Sequence, residues 1–149
     1  AAELRTLGLP GARIELRAGK MLKYYFAIAP GRFGRLYECR LEVRPGEQAP
    51  RLFVTSPDLV ELAGGKRPPH LYRHDGLGAL LCLWWPKNGE WDPRMKLVHT
   101  YIPWAAEWLG CFERWLVSGE WMIQEAHPVQ VPRRWNPHRH REISELVAA

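Results

Sequence analysis

Apolar and charged residues alternate most strictly in one stretch of this 149-residue chain, Tyr37-Glu38-Cys39-Arg40-Leu41-Glu42-Val43-Arg44. Successive side chains of a strand point to opposite faces, so the alternation predicts an antiparallel strand with one face in the core and one in water. Cys39 falls on the core face. We therefore interpret Cys39 as a small buried apolar residue rather than a nucleophile.

The sequence on either side of this strand predicts a meander. Apolar residues alternate before it at Leu22, Tyr24, Phe26 and Ile28, and the run Arg51–Thr55 follows it. Three strands joined by tight turns make a β-meander. Residues 56–78 contain many Gly and Pro residues, so they are expected to form a long surface loop. The apolar run Ala79–Trp85 is then strand-like in its first half.

A helical period replaces the strand period from Thr100 onward. Its apolar positions are spaced i, i+4, i+7 and i+11, at Trp104, Trp108, Cys111 and Trp115. Pro103 suits a first helical turn and Gly119 suits a C-terminal stop. The sequence therefore predicts an α+β fold in which an antiparallel β-meander packs against a long amphipathic helix, with Cys111 as a packing residue.

Length and cysteine usage point to one cytoplasmic domain. The 149 residues suit a single domain, 1–149, with a substantial core. The three cysteines contain no CxxC pair, which favours neither a disulfide framework nor a Cys-rich zinc site. A reducing cytosol is the natural compartment. We find no secretory leader and no apolar run of membrane-spanning length, so no membrane association is expected.

Charge and histidine patterns give weaker signals. The formal net charge is +5, and the basic excess is spread over the first half of the chain, so no nucleic-acid partner is expected. His127, His138 and His140 are candidate metal ligands, but an Arg-rich tract at 133–141 is more typical of a solvated tail. We therefore predict no metal and no cofactor. Six of the eight tryptophans fall within 84–115, which indicates an aromatic core, an aromatic binding surface, or both.

Cys82 is the cysteine whose surroundings predict exposure, because its apolar run breaks at once into a Pro/Gly/Asn loop. A thiol that reacts as a thiolate needs partial exposure and a nearby positive or hydrogen-bonding group, which His70 or His74 upstream can supply. Cys82 can equally be a buried strand residue. A Cys-His-Asp hydrolase with Asp75 is conceivable, whereas nucleotide-hydrolase, serine-hydrolase and zincin motifs are missing.

The order of these pieces resembles the ubiquitin-conjugating enzyme fold. More closely it resembles the bacterial branch found in antiphage signalling operons of the CBASS type, beside a cGAS/DncV-like nucleotidyltransferase. The resemblance extends over about residues 22–128. It is carried by Tyr24-Tyr25-Phe26, Ser56-Pro57, Pro68-Pro69-His70-Leu71-Tyr72, Leu81-Cys82-Leu83-Trp84-Trp85-Pro86, Trp91-Asp92-Pro93, Ile102–Leu109, Trp115-Leu116 and Ser118-Gly119-Glu120-Trp121.

The resemblance implies that Cys82 accepts an acyl group as a thioester and passes it to an amine. The acyl group would be the C-terminus of the nucleotidyltransferase, and the acceptor an amine on a protein target in antiphage defence. The family's His-Pro-Asn motif is altered here to Pro69-His70-Leu71 with no asparagine following. The resemblance therefore leaves His70, His74 or backbone N–H groups to stabilise the oxyanion.

Two further functions stay open at this point. One is a catalytically inactive domain that only binds the C-terminal tail of a partner, and the other is a cysteine hydrolase that cleaves that tail. Because 149 residues leave no room for an adenylation domain, we expect a stand-alone member of the family. Trp84, Trp85 and Trp91 either line a groove beside the thiol or pack under the following loop.

Overall fold

The computed structural model describes residues 1–122 of the chain. Its strands are β1 (Arg13–Arg17), β2 (Met21–Ile28), β3 (Tyr37–Val43), β4 (Arg51–Ser56), β5 (Leu71–Asp75) and β6 (Gly78–Leu81). Its helices are α1 (Ala2–Arg5), α2 (Leu59–Leu62) and α3 (Tyr101–Ser118), with short 3₁₀ turns at Pro86–Asn88 and Leu97–His99.

All six strands form one antiparallel sheet in the order β1-β2-β3-β4-β6-β5. Neighbours along the chain pair as hairpins, except that β6 inserts between β4 and β5. The chain therefore leaves the sheet at Leu81 from an inner strand, with β5 beside it at the edge. Cys82 is the next residue.

The long helix α3 covers one face of the sheet, as predicted, and the core lies between them. Gly119 ends the helix in the left-handed conformation, with φ of +73°, and its N–H bonds to the Trp115 carbonyl. The core is formed chiefly by Tyr24, Phe26, Ile28, Cys39, Leu41, Leu52, Val54, Ala79 and Leu81 from the sheet, and by Ile102, Ala105, Trp108, Leu109 and Phe112 from α3. The α+β architecture with an antiparallel meander and a long amphipathic helix is confirmed.

The opposite face of the sheet is less solvated than strict alternation predicts. Glu42 was expected in water but is only 5 % exposed. Arg40, Arg44 and Arg51 surround its carboxylate, at 2.9, 3.4 and 3.8 Å. A charge-paired carboxylate can be covered in this way because the arginines replace its lost water. Phe53 is buried on this face beneath the guanidinium of Arg40, 4.6 Å from its ring centroid.

The expectation of one long loop over residues 56–78 was wrong in part. Asp58 caps the short helix α2, its Oδ1 accepting from the N–H groups of Val60 and Glu61 at 2.8 and 3.0 Å. Strand β5 also lies in this range and pairs with β6. The Gly and Pro residues therefore delimit short elements instead of excluding them. Strand β1 was not predicted either, because four of its five residues are exposed and it lies at the sheet edge.

A carboxylate joins α3 to the β2–β3 connection. Glu113 Oε1 accepts from the backbone N–H of Arg35 at 2.8 Å and from the Tyr37 hydroxyl at 3.1 Å. This arrangement holds the start of β3 against the helix.

Several predictions fall outside the described residues. They concern His127, His138 and His140 as candidate metal ligands and the Arg-rich tract at 133–141. Within residues 1–122, no helix combines the length and the apolar character that crossing a membrane requires. The same residues contain no group of three or more His, Cys, Asp or Glu side chains placed to hold one metal ion.

Candidate active site

Cys82 lies where β6 ends beside the start of β5. Its backbone N–H donates to the carbonyl of His70 at 3.0 Å, which continues the strand pairing by one residue. Cys82 is 9 % exposed, against 1 % for Cys39 and 4 % for Cys111. It is therefore the most accessible of the three thiols, although more covered than the sequence predicted.

The other two cysteines are poorly suited to nucleophilic chemistry. Burial raises the pKa of the Cys39 thiol, and the negative charge of Glu38 adds to that effect. Burial also raises the pKa of Cys111, which Arg114 offsets in part. Both thiols therefore stay protonated at neutral pH, and the prediction that they pack in the core is confirmed.

A backbone carbonyl faces the Cys82 thiol. Its Sγ lies 3.8 Å from the carbonyl oxygen of Trp84, which can accept from the S–H. The backbone just after Cys82 therefore offers the thiol a hydrogen-bond acceptor.

Tyr72 occupies an irregular position in β5. Leu71 pairs with Leu81 and Arg73 pairs with Leu80, so Tyr72 is the extra residue of a bulge. Burial, and then the interaction with Cys82, raise the pKa of Tyr72 to about 12. The sequence prediction gave this residue no role, although the turn at residues 76–77 folds β5 back on β6 and brings position 72 close to position 82.

Aromatic side chains fix the segment that follows Cys82. The indole N–H of Trp84 donates to the Tyr101 hydroxyl at 2.8 Å, and the Trp91 ring meets that of Tyr101 edge-on at 4.9 Å. Trp91 also donates to the carbonyl of Gln48 at 3.3 Å. Trp84 and Trp91 pack against the core, whereas Trp85 is 41 % exposed. Of the two predicted roles, packing under the loop therefore describes Trp84 and Trp91.

His70 adjoins the thiol through its main chain. It adopts φ of +54°, a conformation uncommon for residues other than glycine. In this conformation its carbonyl accepts two hydrogen bonds, one from Cys82 and one from the Trp108 indole N–H at 3.2 Å. Its imidazole lies 5.4 Å from the ring of Trp121.

His74 lies toward the other end of β5, where it pairs with Ala79. Its Nε2 is 3.0 Å from Asp58 Oδ1, the same oxygen that caps α2. The structure therefore brings His70 next to Cys82 and directs the His74 imidazole to α2.

A six-stranded antiparallel sheet backed by one long helix is an E2-like fold, the fold of ubiquitin-conjugating enzymes. The family model for the Type II CBASS E2 protein matches residues 2–128, and the chain belongs to this family. The family resemblance seen in the sequence is thereby confirmed, and membership connects the chain with CBASS antiphage defence. No curated protein matches the chain.

Proposed function

We propose that the chain is a ubiquitin-conjugating-like transferase whose nucleophile is Cys82. The acyl group would be the C-terminus of a partner protein, a cGAS/DncV-like nucleotidyltransferase, and the acceptor an amine on a protein target. The observation that carries the proposal is the placement of Cys82. In a chain of the Type II CBASS E2 family, the most accessible thiol directly follows an inner strand and lies 3.8 Å from the Trp84 carbonyl oxygen.

The proposed reaction has two balanced steps. First, Sγ of Cys82 attacks the carbonyl of an activated acyl group, such as a thioester of the partner's C-terminus. The carbon–sulfur bond to Cys82 forms, the leaving thiol departs, and it takes up the proton that Cys82 gave. Second, the amine attacks the Cys82 thioester, the amide forms, and the thiol of Cys82 is restored. Neither step uses a metal or a bound nucleotide.

The two predicted histidines take different places in this proposal. His70 stands beside the reacting atoms because its carbonyl holds the Cys82 backbone. His74 contacts Asp58, and we give it the role of joining β5 to α2. A reaction in the cytoplasm is part of the same proposal, since the three cysteines are free and a reducing compartment keeps a thiol nucleophile available.

Incubation with a peptide thioester that carries the C-terminal residues of a cGAS/DncV-like nucleotidyltransferase, followed by addition of an amine, tests the proposal. We expect a covalent adduct that hydroxylamine cleaves, that is lost in Cys82→Ala, and that persists as a more stable ester in Cys82→Ser. Intact-protein mass spectrometry identifies each species. The matched control is Cys111→Ser, which removes a thiol of the core side of α3 and should leave the adduct unchanged.

An adduct that forms equally in Cys82→Ala contradicts the assignment of the nucleophile. Release of a shortened partner tail, with no product joined to an amine, identifies a cysteine hydrolase. Binding of the tail without any covalent species identifies a silent binding module.

A further inference from the structure

We propose that Trp108 is a positioning residue for Cys82. Its indole N–H holds the His70 carbonyl in the orientation that accepts the Cys82 backbone N–H, and this arrangement keeps the thiol aligned for acyl transfer. The inference rests on the function proposed above. It extends the candidate site from the end of a strand into the core helix α3.

Two hydrogen bonds converge on the His70 carbonyl oxygen. The Cys82 backbone N–H donates to it at 3.0 Å, and Nε1 of Trp108 donates to it at 3.2 Å. A carbonyl oxygen has two lone pairs, so it can accept from both donors at once. The main chain of the nucleophile and the side chain of a core residue therefore share one acceptor.

The hydrogen bond to His70 extends the sheet to Cys82 itself. Strand β6 ends at Leu81, which pairs with Leu71 at the start of β5. The Cys82 N–H adds one further hydrogen bond to this ladder, and the next regular element of the chain is the 3₁₀ turn at Pro86–Asn88. A rotation of the His70 peptide therefore displaces Cys82 while the strand before it stays paired.

The backbone of His70 needs support in this conformation. Its φ of +54° lies in the left-handed region, which residues other than glycine adopt at a cost in free energy. A backbone conformation of this kind persists only where the surrounding structure fixes it. The Trp108 hydrogen bond is suited to this task, because it acts on the carbonyl that the left-handed conformation presents.

Trp108 is itself held firmly in the core. Its side chain is 6 % exposed, its ring stacks on Phe112 with centroids 5.8 Å apart, and the Trp121 ring lies 5.2 Å away. A phenylalanine ring could make such packing contacts, whereas the indole N–H adds a donor that needs an acceptor when buried. In this structure the acceptor adjoins the candidate nucleophile.

Alignment of the thiol affects the rate of acyl transfer more than the binding of the acyl donor. Misplacement of a reacting group by about 1 Å can slow a reaction about 100-fold. Loss of the Trp108 donor leaves the thiol present but lets the His70 peptide and Cys82 rotate. The maximal rate should then fall while the half-saturating concentration of acyl donor stays unchanged, because the substitution lies in the core.

The experiment compares Trp108→Phe with Trp115→Phe. Trp115 is the matched control, since it lies on the same helix and its ring contacts the same two residues, Phe112 at 6.0 Å and Trp121 at 6.4 Å. Each protein receives increasing concentrations of a synthetic peptide that ends in a glycine thioester of mercaptoethanesulfonate. Intact-protein mass spectrometry measures transfer of the peptide to Cys82, NMR measures hydrogen exchange of the Cys82 amide, and urea unfolding measures stability.

We expect the maximal rate of peptide transfer to be about 10-fold lower in Trp108→Phe, with a half-saturating concentration within about twofold of the wild-type value. The Cys82 amide should exchange about 10-fold faster, because its acceptor is no longer fixed. Trp115→Phe should match wild type in the transfer rate and in the exchange of this amide.

Variants at position 70 separate the backbone from the imidazole. Glycine adopts the left-handed conformation readily, whereas a β-branched valine rarely does. Both substitutions remove the imidazole, so any contribution of the His70 side chain cancels when they are compared. We expect transfer in His70→Gly to be about 10-fold faster than in His70→Val, a comparison that leaves α3 intact. Trp108→Phe should slow His70→Gly by only about threefold, because glycine needs less support.

Equal maximal rates in wild type and Trp108→Phe overturn the inference, as does equal exchange of the Cys82 amide. An equal loss from Trp108→Phe in the wild-type and His70→Gly backgrounds also overturns it, because the effect would then arise from packing. Equal rates in His70→Gly and His70→Val have the same meaning. The proposed function fails by a different result, which needs no substitution at position 70 or 108: wild type and Cys82→Ala accept the peptide equally.

Discussion

Gly78 is the first residue of β6, and the substitution Gly78→Ala tests the strand packing that positions Cys82. The residue adopts φ of +109°, which L side chains rarely adopt. A Cβ here would lie 2.5 Å from the Val54 carbonyl oxygen and 3.3 Å from the Thr55 Cα, both on β4. The backbone of β4 cannot give way easily, because Val54 pairs with Ala79 in the next register position.

The cost of Gly78→Ala follows from these two effects. Backbone strain in a sparsely populated region costs about 1–3 kcal/mol. Overpacking against a rigid neighbour costs about 1–3 kcal/mol more. Since only one carbon is added, we expect the free energy of unfolding to fall by about 3 kcal/mol. For a chain of this length the melting temperature should fall by about 6–12 °C.

Urea unfolding followed by tryptophan fluorescence measures the change, with Gly76→Ala as the control. Gly76 lies two residues earlier in the same turn, and a Cβ there meets nothing within 4 Å. Its substitution should alter the free energy of unfolding by less than about 0.5 kcal/mol. If Gly78→Ala is as stable as Gly76→Ala, then β4 and β6 do not approach as described, and the placement of Cys82 beside β5 loses its support.

Three further predictions concern other parts of the molecule. Iodoacetamide at pH 8 should modify Cys82 in the folded protein before Cys39 or Cys111, as peptide mapping can show, because the pKa values of the two core thiols are raised by burial. Glu42→Gln should lower the free energy of unfolding by about 2 kcal/mol, since it removes the charge that pairs three arginines; a loss below 0.5 kcal/mol in urea would show that those pairs are solvent-screened. Asp58→Ala should cost about 1 kcal/mol at pH 7 by removing the cap of α2. The hydrogen bond from the Glu61 N–H is the largest of the effects that hold the pKa of Asp58 below 3.8. The loss of stability should therefore be present above pH 3.8 and shrink as the pH falls through the lower pKa of the folded state. Urea unfolding at a series of decreasing pH values would measure it.

Periodicity predicted those elements whose two faces meet different surroundings. Strand β3 and helix α3 each have one face in the core. Their apolar residues therefore recur with the period of a strand or of a helix, and this period can be recognised in the sequence. Most residues of strand β1 are exposed, so its sequence shows no apolar alternation. The apolar alternation of β5 is interrupted by its bulge. Short elements between Gly and Pro residues therefore resemble loops when only the sequence is read.

Pairings across strands were the least predictable part of the site. Cys82 could be singled out from its neighbours in sequence, because an apolar run ends there. Its hydrogen bond to the His70 carbonyl depends on the register of β5 against β6, and one residue of slip would send the side chains of β5 to the other face. The burial of Glu42 likewise depends on Arg51, which approaches from a neighbouring strand.

The main chain at His70 has a consequence for how this site can vary. The carbonyl of this residue joins Cys82 to Trp108 on α3. The left-handed conformation that presents the carbonyl is also accessible to asparagine and glycine. Another residue type at position 70 can therefore keep the same backbone conformation. The polar side chain at this position can then change during evolution while the carbonyl still holds Cys82 in place.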